Sequence, residues 1–179
     1  MPKKIDDLRQ TILRHTRMIL LMQGSEKLTV RAVAASCHVA VGTVYNYFPS
    51  KDMMVASVMA EDWEKLLAQI KADCEQAPDT LAGLKLIFDG IRDFSKTFSP
   101  VWETYHPQVS TPNLAQSKHR QLVSQLIDVI QPMLERFGQT ELPHLSRFLS
   151  ESVLAAASDI SAAFQELLPV YEKLLKSET

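Results

Sequence analysis

Apolar residues recur every three or four positions along almost the whole chain, and nowhere do they alternate with polar ones for the length of a strand. That spacing gathers them on one stripe of a helix, so an all-α fold is expected. In the first stretch Ile5, Leu8, Ile12, Ile19 and Met22 form the stripe, and Gly24 ends it. Thr29 is placed to cap a short second helix whose Val30, Val33 and Ala34 face inward. Residues 37–39 break the pattern, and a third short helix covers about 40–46. Ser50 caps a fourth helix that runs to about Gln76 and stops ahead of Pro78.

The same punctuation continues. Asp79 or Thr80 caps a helix to about Phe98, and Ser99-Pro100 is read as the start of a short aromatic helix holding Trp102 and Tyr105. Residues 107–112 read as a loop, and Thr111-Pro112 opens a long helix that ends at Gly138 with a kink expected at Pro132. Thr140 is placed to cap the next helix. The last one holds Leu168, Tyr171, Leu174 and Leu175, with Pro169 in its first turn or at a kink.

Charge divides the chain unevenly. Through Lys51 there are eight Lys and Arg against three acids, a net of +5, so the remainder carries −7 of the overall −2. A basic head on an acidic body suits a polyanion at the head alone. Cys37 and Cys74 are unclustered, which fits neither a disulfide scaffold nor a zinc site and agrees with a reducing cytoplasm. The apolar run from Met18 to Met22 is too short to span a bilayer, and the charged N-terminus is no signal peptide, so a cytoplasmic protein without membrane attachment is expected. His15, His38, His106, His119 and His144 lack ligand spacing, no nucleophile elbow or phosphate loop occurs, and neither a metal, a cofactor nor an enzymatic activity is expected.

The informative stretch is Thr29 to Lys51, TVRAVAASCHVAVGTVYNYFPSK: two short helices joined by a tight turn. Ala40, Val41, Gly42 and Thr43 keep the second helix narrow enough to enter a major groove, and Gly42 lets its backbone come close at some cost in helix propensity. Val39 and Val44 are expected to pack inward. Val41 and Thr43 suit thymine methyls and Asn46 suits adenine, whereas the helix holds no Arg or Gln.

These residues resemble the TetR family of one-component regulators. The resemblance rests on Thr29, Val39, Gly42-Thr43-Val44-Tyr45, Tyr47-Phe48 and Ser50-Lys51-Asp52, about a quarter of the chain. The chain departs from the family pattern at the turn, where His38 replaces a glycine, and at Ala40, where a small polar cap is usual.

The resemblance implies an N-terminal three-helix helix-turn-helix DNA-binding domain, residues 1–50, and a C-terminal helical bundle for ligand binding and dimerisation, residues 51–179. It implies phosphate contacts from Thr29 and Arg31, and base edges met by Val41, Gly42, Thr43 and Asn46. Tyr45, Tyr47 and Lys51 would clamp the flanking backbone, and Phe48 would belong to the core. The implied protein binds a palindromic double-stranded operator as a homodimer, represses transcription, and is released by a small hydrophobic effector. A pocket for that effector would draw on Trp63, Leu67, Phe88, Ile91, Phe94, Phe98, Trp102, Tyr105 and His106. The dimer would be built by about 142–160 and 166–176, with Phe148, Leu149, Ser152, Ala155, Ala156 and Phe164 at the interface. The alternative is an adaptor of the same fold that acts chiefly through protein partners.

Overall fold

The computed structural model describes residues 7–104 and 112–176. Its helices are α1 (Leu8–Gln23), α2 (Val30–Ser36), α3 (Val41–Tyr47), α4 (Lys51–Glu75), α5 (Thr80–Thr104), α6 (Pro112–Arg136), α7 (Leu145–Ser158) and α8 (Phe164–Leu175). No strand occurs among the described residues. No described helix is long and apolar enough to cross a membrane.

The chain divides into two compact units, one of Met1–Trp63 with Thr97–Pro107, the other of Glu64–Lys96 with Gln108–Thr179. The division falls inside α4, after Trp63, whereas the boundary drawn from sequence lies at the start of that helix.

In the first unit α1 turns Ile12, Leu13, Thr16, Ile19 and Leu20 inward. Of the stripe expected from spacing, Ile12 and Ile19 are buried, Leu8 is half-buried, Met22 is 79% exposed and Ile5 lies outside the described residues. Asp7 caps it by accepting from the Gln10 amide at 3.1 Å, and Gly24 ends it at φ 89°, a conformation that glycine adopts without strain. Thr16, fully buried, donates back to the Ile12 carbonyl at 2.8 Å, which satisfies its hydroxyl inside an apolar core.

The second unit is built on an aromatic row. The Phe88 and Phe164 rings lie 5.4 Å apart and the Phe164 and Tyr171 rings 6.1 Å, both tilted as aromatic quadrupoles prefer. The Tyr171 hydroxyl reaches Ser152 Oγ at 2.9 Å, so the row ends on a satisfied polar group. Gly90 allows α5 to approach α4 closely, since a Cβ there would meet Leu66 Cδ1 at 2.9 Å and Ile70 Cδ1 at 3.1 Å. The C-terminal end of α4 is closed by Arg136, whose guanidinium donates to the carbonyls of Glu75 at 2.7 Å and Ala77 at 3.0 Å. A cation suits that end of the helix dipole.

Three boundaries differ from the sequence reading. Helix α5 does not stop near Phe98 but runs through Pro100 to Thr104, and no separate aromatic helix begins there. Proline removes the bond to the carbonyl four residues back and crowds that carbonyl with its ring, but its fixed φ is helical, so a helix can bend and continue through it. Pro100, Pro132 and Pro169 all lie inside helices and are exposed, and the residues whose carbonyls they orphan, Lys96, Asp128 and Gln165, are exposed as well. Water can therefore take the place of each missing donor. Thr140 does not cap α7. That helix starts at Leu145 behind His144, which adopts a left-handed conformation at φ 64° and caps with no side-chain bond. Pro169 stands beyond the first turn of α8, which begins at Phe164.

Candidate nucleic-acid interface

Helices α2 and α3 meet through a turn that needs one left-handed residue. Thr29 opens α2, its Oγ1 accepting from the Ala32 amide at 3.0 Å. The turn then closes by backbone bonds: His38 N to Ala35 O at 3.1 Å and Val39 N to Ala34 O at 3.0 Å. The residue that reverses direction is His38, at φ 57° and exposed, so histidine occupies the left-handed position that glycine would fill without strain. Ala40 begins α3 without a side-chain cap.

The side chains of α3 separate cleanly. Val44 is fully buried and Phe48, just past the helix, is buried beneath the Arg9 guanidinium, 5.3 Å from the ring centroid. Gly42, Tyr45, Asn46 and Tyr47 are exposed, and Val41 and Thr43 are half-buried. At 100° per residue Gly42 and Asn46 occupy the middle of the outer face. Val41 and Tyr45 border one side of it, Thr43 and Tyr47 the other. A Cβ added at Gly42 would meet nothing within 4 Å. Nothing inside the chain therefore requires glycine there, although glycine weakens a helix. Val39, expected to pack inward, is half-buried.

Around this face the structure sorts the cations of the basic head. Arg9 pairs with Glu61 at 3.6 Å and Arg17 with Asp62 at 3.0 Å, while Gln10 donates to Glu61 at 3.0 Å. These ties hold α1 against α4 and take two positive charges out of the net that the sequence suggested. Lys51 Nζ donates to the Ser25 carbonyl at 2.7 Å, fastening the start of α4 to the loop after α1. An ammonium has three hydrogens, so this bond leaves others for a phosphate. Ser50 caps α4, its Oγ accepting from the Met53 amide at 3.2 Å. His15 bonds Ser36 at the end of α2. Lys27, Thr29 and Arg31 are exposed. The Ser50 cap is local and expected from spacing, whereas the pairings of Arg9, Arg17, Lys51 and His15 join residues far apart in the chain, which spacing does not reveal.

The other predicted sites divide less neatly. Of the effector candidates, Trp63 and Phe98 fall in the first unit and Leu67, Phe88, Ile91 and Phe94 in the second. Trp63, Phe88, Ile91 and Phe98 are buried, and the Arg92 guanidinium covers Phe88 at 4.8 Å. Tyr105 and His106 lie outside the described residues, as does the side chain of Trp102. A groove of ≈ 160 Å³ in the second unit is lined by Lys71, Cys74, Glu75, Asp128, Val129, Pro132, Met133 and Arg136, and none of the effector candidates borders it. Of the interface candidates, Phe148 is 50% exposed, Ala155 is exposed, and Ser152 and Ala156 are half-buried. Leu149 and Phe164 are buried in their own chain, where they serve the core.

Comparison with known proteins agrees with the geometry. Residues 12–58 match the sequence profile of the bacterial regulatory proteins of the tetR family. Over 58 residues the chain is 41% identical to the HTH-type transcriptional repressor KstR of Rhodococcus jostii, covering 32% of this chain and 27% of that protein. Over 67 residues it is 30% identical to the HTH-type transcriptional regulator UidR of Escherichia coli, covering 37% and 34%. The matched stretch thus spans about a third or less of these relatives. The whole fold is similar to that of FadR from Bacillus subtilis, solved with stearoyl-CoA, at a TM-score of 0.62 and 16% identity over 94% of this chain and 98% of that one. It is also similar to a TetR-family regulator of Haemophilus influenzae, at a TM-score of 0.51 and 18% identity over 95% of each chain. The helix-turn-helix segment, residues 12–58, is thus similar to that of the tetR family of bacterial regulatory proteins, and the whole chain shares its fold with solved regulators of that kind.

Proposed function

We propose that this chain is a transcriptional repressor that binds a palindromic operator as a homodimer and is released by a small hydrophobic ligand. The outer face of α3 carries the reading: a glycine that no packing demands, flanked by two exposed tyrosines and an exposed asparagine. A surface that narrow and polar fits a major groove. The exposed Thr29, Lys27 and Arg31 at and near the start of α2 are suited to the phosphates beside it.

Two copies are favoured by α7 and α8. Phe148, Ser152 and Ala155 recur on one face of α7, and Ile160 and Val170 are each about half exposed, at 50% and 49%. An apolar face of this kind is stabilised by a symmetric partner. The effector reading rests on likeness of fold: FadR from Bacillus subtilis was solved with stearoyl-CoA, and that compound is the first to try.

The test is selection of binding sites from random duplex DNA, followed by titration of the selected duplex at two salt concentrations. An inverted repeat whose affinity falls steeply with salt is the expected result. Weak binding with no consensus would overturn it and leave an adaptor that works through protein partners.

A further inference from the structure

The geometry points to a recognition helix that reads A·T base pairs: thymine methyls through Val41 and Thr43, and an adenine edge through Asn46. This rests on the operator-binding reading and adds to it the chemistry of the half-site.

In the major groove guanine is read by Arg or Lys, adenine by Asn or Gln, and thymine by an apolar contact to its methyl. Residues 40–50, AVGTVYNYFPS, contain no Arg, Lys or Gln, and Asn46 is their single side-chain amide. Among the described residues no cation stands on α3: Arg14 is on α1 and Lys27 in the loop after it. Arg9 and Arg17 are held by Glu61 and Asp62 on α4, and Lys51 by the Ser25 carbonyl. Arg31 is exposed but stands on α2, so any base it meets lies to the side of those under α3.

What α3 does present is matched to A·T. Asn46 is exposed in the middle of the outer face, and its amide donates and accepts in the pattern of adenine N7 and N6. Gly42 stands one turn before it with nothing within 4 Å of its missing side chain, so the backbone there can approach the base edges. Val41 and Thr43 flank Gly42 and are half-buried, which fixes their methyl groups at the two margins of that approach. The thymine methyl is the one apolar group on the major-groove edge. Tyr45 and Tyr47, exposed farther out, offer hydroxyls that suit phosphates whatever the sequence.

The experiment replaces each thymine of the selected duplex by uracil, which deletes the methyl and nothing else. Affinity is expected to fall about fourfold at one or two thymines in each half-site, the effect of a buried methyl-sized group. With V41A and T43S together, the thymine-to-uracil ratio at those positions is expected to return to about one. N46A is expected to relax the preference for one adenine by about tenfold. A specific inverted repeat that ignores uracil throughout overturns the inference and leaves the operator reading standing. So does a G·C pair at the position that N46A relaxes. If no site is selected at all, both fail. The uracil scan uses the unaltered protein, so it decides the matter even if the variants do not fold.

Discussion

Gly42 and His38 both hold conformations or compositions that a helix or turn would not choose for stability. Glycine inside a helix costs about 1 kcal/mol relative to alanine, and the space around Gly42 is open. G42A is expected to raise unfolding stability by up to about 1 kcal/mol while weakening specific DNA binding. Denaturant unfolding and operator titration on the same sample check it, and a parallel rise in both would refute the proposed contact. His38 is the converse case. A left-handed residue with a Cβ is strained by about 1–2 kcal/mol. H38G should relieve most of that, offset by the greater freedom of glycine when unfolded, for a net gain near 1 kcal/mol. Loss of stability in that variant would mean that the imidazole makes a compensating contact.

At the scale of helices, close packing and capping decide the result. G90V is expected to destabilise by roughly 1–3 kcal/mol, because the new methyls would enter space held by Leu66 and Ile70. R136A would leave the carbonyls of Glu75, at the end of α4, and of Ala77, just past it, without their donor, and a loss of about 1 kcal/mol is expected for a residue largely in solvent. Burial raises the Tyr171 hydroxyl above the ordinary value of 10.0, against the bond from Ser152. A raised pKa means that the folded state binds its proton more tightly. The associated stability is present below pH 10 and is lost as pH climbs through the folded value. Y171F should flatten that alkaline decline, which unfolding at several pH values would show.

The helix-turn-helix was legible because its signals are local. Thr29 and Ser50 bond amides three residues on, and the turn at His38 closes within five residues. Phe48 was placed in the core correctly for the same reason. The misread boundaries at Pro100 and His144 depend on solvent exposure and on loop geometry, neither of which spacing reveals. The pairings of Arg9, Arg17, Lys51 and Arg136 join distant residues, and a charge count treats such side chains as free. Spacing alone also does not distinguish the inner face of α7 and the start of α8, where Leu149 and Phe164 are buried in their own chain, from the outer face that carries Phe148.

For the whole molecule the first question is association. Phe148 is half exposed on α7, and a charge there would have to be desolvated between two copies. F148E is expected to shift the protein from dimer to monomer in sedimentation at micromolar concentration, with little change in far-ultraviolet circular dichroism. A dimer that persists would place the interface elsewhere.

The two cysteines make this chain its own reporter. Cys37 is buried in the first unit and Cys74 in the second. Burial pushes both thiols up, Cys74 to about 11 and Cys37 against the pull of Arg14. Since only an accessible thiolate reacts, an alkylating agent will mark each site at the rate at which its surroundings open. One labelling time course, resolved by mass spectrometry, therefore measures how often each unit opens, with no probe added. Adding operator DNA should slow the reaction at Cys37, and adding an effector should slow it at Cys74.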